Sequence, residues 1–89
     1  MSTVTFGGDK MVYRSIKFIW KQEKSGVNDA EFAEEKVKAV NSCLEDIESD
    51  LSYDYHFVTR KFLKKNSRIS FIPFSSDYIK VIVEFDLNL

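Results

Sequence analysis

The last segment of the chain alternates between apolar and polar residues. From Ile79 to Leu89 every odd position is apolar, while all but one of the even positions carry a polar atom or a charge. A period of two is typical of a β-strand, and the β-branched and aromatic residues here suit a half-buried sheet. We therefore predict a strand over 77–89 in an antiparallel sheet, with its odd-numbered side chains facing the core.

The central segment has the period of an amphipathic helix. Apolar residues recur there at spacings of three and four and form one continuous stripe. Asn28 precedes the stripe and Glu31 follows three residues later, which is the pattern of a capping box. The sequence predicts one helix from about Asp29 to Leu51. Its stripe consists of Ala33, Val37, Val40, Leu44, Ile47 and Leu51.

Four other segments are predicted to be strands, at 2–6, 11–22, 53–64 and 68–74. The first is the shortest pattern, and the second has a possible bulge at Arg14 and Ser15, where its alternation is interrupted. Turns are expected at 7–9, 64–67 and 75–76, which are rich in Gly, Asn, Ser and Lys. Pro73 places the fourth segment at a sheet edge or just before a turn.

These elements predict an α+β fold in one domain spanning 1–89. A single long helix packs on one face of a bent antiparallel sheet, giving two layers in the order β-β-α-β-β-β. The length of 89 residues is that of one small domain, and its 15% of aromatic residues supply large areas for a core or an interface.

Composition limits the chemistry that the chain can perform. The single cysteine, Cys43, excludes an intramolecular disulfide and a cysteine-based zinc site. Neither a signal peptide nor a long apolar membrane segment is visible. We expect a cytoplasmic protein that uses no metal or cofactor and does not bind a membrane.

Charge is unevenly distributed although the net charge is only −1. Residues 27–54, which contain the helix, carry a net charge of −7, whereas 1–26 and 55–89 each carry +3. The acids lie mostly off the apolar stripe and form a solvated face. They could also present an acidic surface to a basic partner, because a rigid row of carboxylates focuses a negative field.

The second face of the sheet is the first candidate site. Two-residue loops at 65–66 and 75–76 would set the register of the last three strands. The face away from the helix would then show an apolar patch, and large exposed patches usually mark interaction surfaces. Alternatively, the N-terminal strand or a shifted register covers it, or the chain dimerises through it. The patch consists of Val58, Phe62, Ile69, Phe71, Tyr78 and Ile82.

A basic run around the predicted turn at 64–67 is the second candidate site. Interleaved with aromatic residues, it resembles in composition a surface for single-stranded nucleic acid. Lysines near strand ends also keep sheets from pairing with other chains, and the slightly acidic chain favours that interpretation. The run consists of Arg60, Lys61, Lys64, Lys65 and Arg68.

Catalytic candidates are few. His56 is the only histidine, and Asp54 and Arg60 could orient it on a strand, but a lone histidine is more often a surface or packing residue. Cys43 lies inside the helix and is expected to be a packed thiol. A small nuclease that uses His56 with Arg60 and Lys61 is the weakest hypothesis.

The sequence favours a small non-enzymatic module that binds another protein or a second copy of itself. This class includes inhibitors, immunity-type or antitoxin-type proteins and subunits of assemblies. Such a module would act through the open aromatic sheet face or the acidic helix. The alternative is a single-stranded nucleic-acid-binding domain that uses the basic run and the aromatic residues of the sheet.

Overall fold

The computed structural model describes residues 2–7 and 10–88, with side chains from 11 to 87. Two strands come first, three helices follow, and two strands end the chain. The fold is α+β, as predicted, with one long helix packed against an antiparallel sheet. The elements are β1 Ser2–Gly7, β2 Lys10–Trp20, α1 Gln22–Ser25, α2 Asp29–Leu51, α3 Arg60–Asn66, β3 Arg68–Pro73 and β4 Tyr78–Asn88.

The four described strands form one sheet in the order β1-β2-β4-β3, and all neighbours are antiparallel. The pairing of β2 with β4 runs without interruption from Lys10 opposite Asn88 to Trp20 opposite Tyr78. The predicted bulge at Arg14 and Ser15 is therefore wrong, and the irregular pattern of β2 arises because both of its faces carry apolar residues. The first predicted strand is confirmed as β1, while the turn expected after it falls on Gly8 and Asp9, outside the described residues.

The core lies between α2 and the odd-numbered residues of β2 and β4. On β4 the prediction is confirmed, because Val81, Val83, Phe85 and Leu87 are all buried. Ser15 of β2 is also fully buried, and its hydroxyl donates a 3.0 Å hydrogen bond to Asp46 of α2. This bond ties the sheet to the helix within an otherwise apolar layer.

The limits of α2 agree with the predicted helix, and its cap is the predicted one. The side chain of Asn28 accepts a 2.8 Å hydrogen bond from the backbone N–H of Glu31. Before this cap, Gly26 adopts φ 72°, a left-handed conformation that glycine accepts without steric cost, and ends the short helix α1. The apolar stripe is buried from Val40 onward, whereas its first two members are exposed.

The strand predicted over 53–64 is wrong. Residues 52–59 form a loop, and α3 follows with Thr59 as its N-cap, whose hydroxyl accepts a hydrogen bond from the N–H of Phe62. Val58 precedes the cap, Leu63 is the fourth helical residue, and both are buried in the core. A hydrophobic pair at these positions fixes the entry of a helix, so local capping outweighs the alternation of the preceding residues.

The predicted register of the last hairpin is wrong by one residue. Pro73 lies opposite Ile79, and the N–H of Phe74 donates to the carbonyl of Tyr78, which leaves three residues in the turn instead of two. The Ser75 hydroxyl accepts hydrogen bonds from the N–H groups of Asp77 and Tyr78 and so stabilises the longer turn. A shift of one residue moves every side chain of a strand to the opposite face.

Candidate functional site

The face of the sheet that points away from α2 is built from even-numbered residues of three strands. The register places Ile16, Phe18 and Trp20 of β2 beside Ile82, Lys80 and Tyr78 of β4. None of the described side chains on this face is buried. The even-numbered residues of β3 and the adjoining Phe74 extend the face to the sheet edge.

One half of this face is aromatic, and we call it the aromatic half. The ring of Trp20 stacks on Tyr78 with 4.5 Å between centroids, and Phe18 contacts Phe74 at 4.8 Å. The ammonium of Lys80 lies 5.5 Å from the centroid of the Phe74 ring. These contacts order the rings beside one another, yet Phe74 remains 59% exposed and Trp20 49% exposed.

The other half of the face carries charges that are paired within the chain. Arg14 binds Glu84 across β2 and β4 at 2.7 Å, and Arg68 binds Asp86 across β3 and β4 at 2.7 Å. The hydrogen bonds that the Arg68 guanidinium donates to Asp86 raise its pKa above the usual value. Because each arginine has a carboxylate beside it, this half presents little uncompensated charge to an approaching surface.

The patch predicted from the sequence is only partly assembled. Tyr78 and Ile82 lie on the open face, as the alternation of β4 predicts. Ile69 and Phe71 lie on the opposite face because of the register shift. Val58 is buried in the core.

Phe62 also lies on the covered side, where its ring contacts Phe85 with 5.8 Å between centroids. The sequence interpretation missed the residues that do form the aromatic half on β2 and beyond β3. The alternation at even positions of 11–22 was visible, but only the pairing of β2 with β4 shows which face it joins. The missed residues are Ile16, Phe18, Trp20, Ile72 and Phe74.

The basic run does not form the predicted hairpin. Four of its members lie on α3, and Arg68 begins β3. Arg60 binds Glu48 of α2 at 3.0 Å, so it and Arg68 are both engaged with carboxylates. A role of Arg60, Lys61, Lys64, Lys65 or Arg68 in nucleic-acid binding stays a prediction.

The two catalytic candidates, His56 and Cys43, differ in their exposure to solvent. His56 is exposed in the loop after α2, so the strand that would align it with Asp54 and Arg60 does not exist. Cys43 is buried, and burial raises the pKa of its thiol while a hydrogen bond with Ser15 opposes that shift. Within 2–7 and 10–88 no group of three or more His, Cys, Asp or Glu side chains is arranged to hold a metal ion.

None of the described helices has the length and apolar character needed to cross a membrane. Comparisons of the chain with protein-family models, with curated proteins and with solved structures find no match. The function is therefore inferred from the chemistry of the surfaces described above.

Proposed function

We propose that this chain is a small non-enzymatic protein-binding module whose open sheet face packs against the same face of a second copy. The observation that carries the proposal is the aromatic half, in which Phe18, Trp20 and Phe74 are ordered by ring contacts and yet exposed. Aromatic residues are enriched at interfaces, where one large ring fills a pocket on the partner at a small entropic cost.

The charges of the face support a second copy as the partner. Arg14 and Glu84 neutralise one another, as do Arg68 and Asp86, which leaves Lys80 as the remaining charged side chain on the described part of the face. Two copies related by a two-fold axis through the aromatic half would bury ring against ring. Their ion pairs would stay at the rim in contact with water, where charged groups belong in an interface.

The size of the face is also adequate. With strands about 4.8 Å apart and a rise of about 3.3 Å per residue, the sheet projects roughly 500 Å². Accessible area exceeds projected area, so the face is comparable with the roughly 600 to 1,000 Å² per partner that specific interfaces bury. The resulting particle would have four layers, with helices outside and two aligned sheets inside.

The test is the mass of the protein in solution, measured by light scattering from micromolar to millimolar concentration at low and high salt. We expect a monomer–dimer equilibrium that salt does not weaken, because the buried contacts are apolar. Phe74→Glu should raise the dissociation constant by about 1,000-fold, because a two-fold dimer loses an aromatic side chain worth roughly 2 kcal/mol from each copy.

Tyr53→Glu is the matched control, because Tyr53 is an aromatic residue that is even more exposed than Phe74 and lies in the loop after α2, away from the sheet. It should leave the dissociation constant unchanged. A monomer at every concentration would overturn the proposal, as would a dimer that Phe74→Glu and Tyr53→Glu weaken to the same extent. In either case the aromatic half has no part in self-association.

A further inference from the structure

A groove of about 390 Å³ lies between α2 and β3, on the covered side of the sheet. It exists because α2 packs over β2 and β4 and makes few contacts with β3. The inner side chains of β3 therefore remain only partly covered. Phe71 on the floor of the groove is 43% exposed, and Val37 on its helical wall is 56% exposed.

The helical wall of the groove is the N-terminal part of the apolar stripe of α2, which is not buried. Ala33 and Val37 continue the apolar row that is buried from Val40 onward, but both are exposed. Exposure of an apolar row to water is unfavourable in free energy, and burial against another surface removes this penalty. Together with Ile69 and Phe71 they form a continuous apolar trough that runs along β3.

The backbone of β3 adds hydrogen-bonding capacity directly beside this trough. Because Phe74 donates to Tyr78, and bonded pairs alternate along an antiparallel ladder, Ser70 and Ile72 bond to β4. The N–H and C=O groups of Ile69 and Phe71 therefore point away from the sheet. Pro73 fits this pattern, since its missing N–H would also have faced outward.

The groove is flanked by positive charge. Lys36 of α2 places its ammonium 5.6 Å from the centroid of the Phe71 ring, and Lys64 of α3 lines one end of the groove. Two copies of β3 paired edge to edge would bring both lysines of each copy around one merged groove. That arrangement concentrates like charge, so the edge is poorly suited to a second copy of this chain.

We infer that this groove binds an extended segment of another protein in which every second side chain faces the groove, and these groove-facing side chains are apolar at the centre of the segment and acidic at its ends. The segment adds as a strand beside β3, and its backbone bonds to the outward groups of Ile69 and Phe71. Its apolar side chains fill the trough against Val37, and its carboxylates reach Lys36 and Lys64. Recognition of this kind takes affinity from the backbone and specificity from alternate side-chain positions.

The test is a titration of isotope-labelled protein with two synthetic peptides that carry Val at the central groove-facing positions and Ser at the positions facing away. The Val–Glu peptide has Glu, and the Val–Lys peptide has Lys, at the two outer groove-facing positions. NMR would follow the amides of β3. The Val–Glu peptide should shift the amides of Ile69 and Phe71 and slow their hydrogen exchange, while those of Ser70 and Ile72 change less because they already bond to β4. It should bind about tenfold more tightly than the Val–Lys peptide, as expected from two exposed charge pairs.

Variants of the protein distinguish binding in the groove from a general attraction to acidic peptides. Val37→Glu adds a carboxylate to the exposed wall and should weaken binding of the Val–Glu peptide by at least tenfold. Ser49→Glu adds the same charge to an exposed site near the other end of α2, and should not weaken it. Lys36→Glu combined with Lys64→Glu should reverse the preference between the two peptides.

Three results would overturn the inference. These are equal affinity for both peptides, equal weakening by Val37→Glu and Ser49→Glu, and unchanged Ile69 and Phe71 amides at millimolar peptide. If those amides instead shift with protein concentration alone, the edge takes a second copy and the proposed occupant is wrong. Repeating the titration in the Phe74→Glu background keeps the outcome independent of association through the aromatic half.

Discussion

The two faces of β4 differ both in their residues and in their surroundings. Its odd residues Val81 and Val83 are fully buried under α2, whereas its even residues Ile82 and Tyr78 lie half-buried among the rings of a face that no described helix covers. The buried face contains one polar residue opposite Val83, namely Ser15, and that residue is hydrogen-bonded to Asp46. The open face mixes aromatic rings with arginines paired to carboxylates.

The two faces differ in how their polar groups are satisfied. A core tolerates polar groups only when they are satisfied within the fold, and the covered face meets that demand. The open face also pairs its charges internally, although water could have solvated them. Internal pairing of Arg14 with Glu84 leaves this half of the face with little net charge, which fits the proposed interface, where such pairs lie at the rim in contact with water.

The largest effect expected is from a charge on the covered face. Val83→Asp buries a carboxylate among α2 side chains with no partner and should cost more than about 4 kcal/mol, enough to unfold a domain of this size. Ile82→Asp, one residue away on the open face, should leave the domain folded. Circular dichroism and urea denaturation measure both. A folded Val83→Asp protein would contradict the assignment of the two faces.

A smaller effect separates Phe62, which the sequence placed in the open apolar patch, from Phe74, which the sequence placed on the helix side. Phe62→Ala should lower the free energy of unfolding by about 2 kcal/mol, less than for a fully buried ring, because Phe62 packs on Phe85 but is only partly buried. Phe74→Ala should change stability little. Denaturation curves measure the difference. Equal losses in the free energy of unfolding would mean that both rings pack in the same layer of the fold.

The smallest expected effect is a dependence of the free energy of unfolding on pH. It arises from two groups in the core between α2 and the sheet. Burial raises the pKa of the Cys43 thiol from its ordinary value of 9.0, and that of the Tyr13 phenol from 10.0. The unfolded chain releases these protons first, so the free energy of unfolding is fully retained below pH 9.0 and falls as pH rises above it.

Urea denaturation from about pH 8 to about pH 11 measures this decline across the ordinary range of both groups. Cys43→Ala should reduce the slope of this decline in its lower pH range, because the variant lacks the thiol. Because this control compares slopes, any constant loss from the small cavity does not affect it. A variant that follows the same curve as the original chain would show that the thiol does not contribute.

The predictable part of the fold consists of long periodic segments. The stripe of α2 spans more than five turns and the alternation of β4 spans 11 residues, so each pattern repeats often enough to exclude the other structure. The strand predicted over 53–64 failed because Tyr55 and Phe57 alternate over too short a stretch. Thr59, with apolar residues on either side of the first turn of α3, was the stronger local signal.

The candidate surface was less predictable because it depends on register and on pairing between distant segments. The hydroxyl of Ser75 stabilises a turn of three residues, and no periodic pattern in the sequence reports such a bond. The pairing of Trp20 with Tyr78 joins residues 58 positions apart, which composition cannot reveal. The sequence therefore predicted an open apolar face without most of the residues that build it.

The three-residue turn between β3 and β4 also has an evolutionary consequence. Loss of one codon between Ser75 and Asp77 would shorten this turn to two residues and leave Phe74 paired with Tyr78, so every side chain of β3 would keep its face. Loss of one residue within β3 would instead move all the strand residues before it to the opposite face. The turn is thus a site where the length of the chain changes without altering the groove or the aromatic half, whereas the strand beside it tolerates no such change.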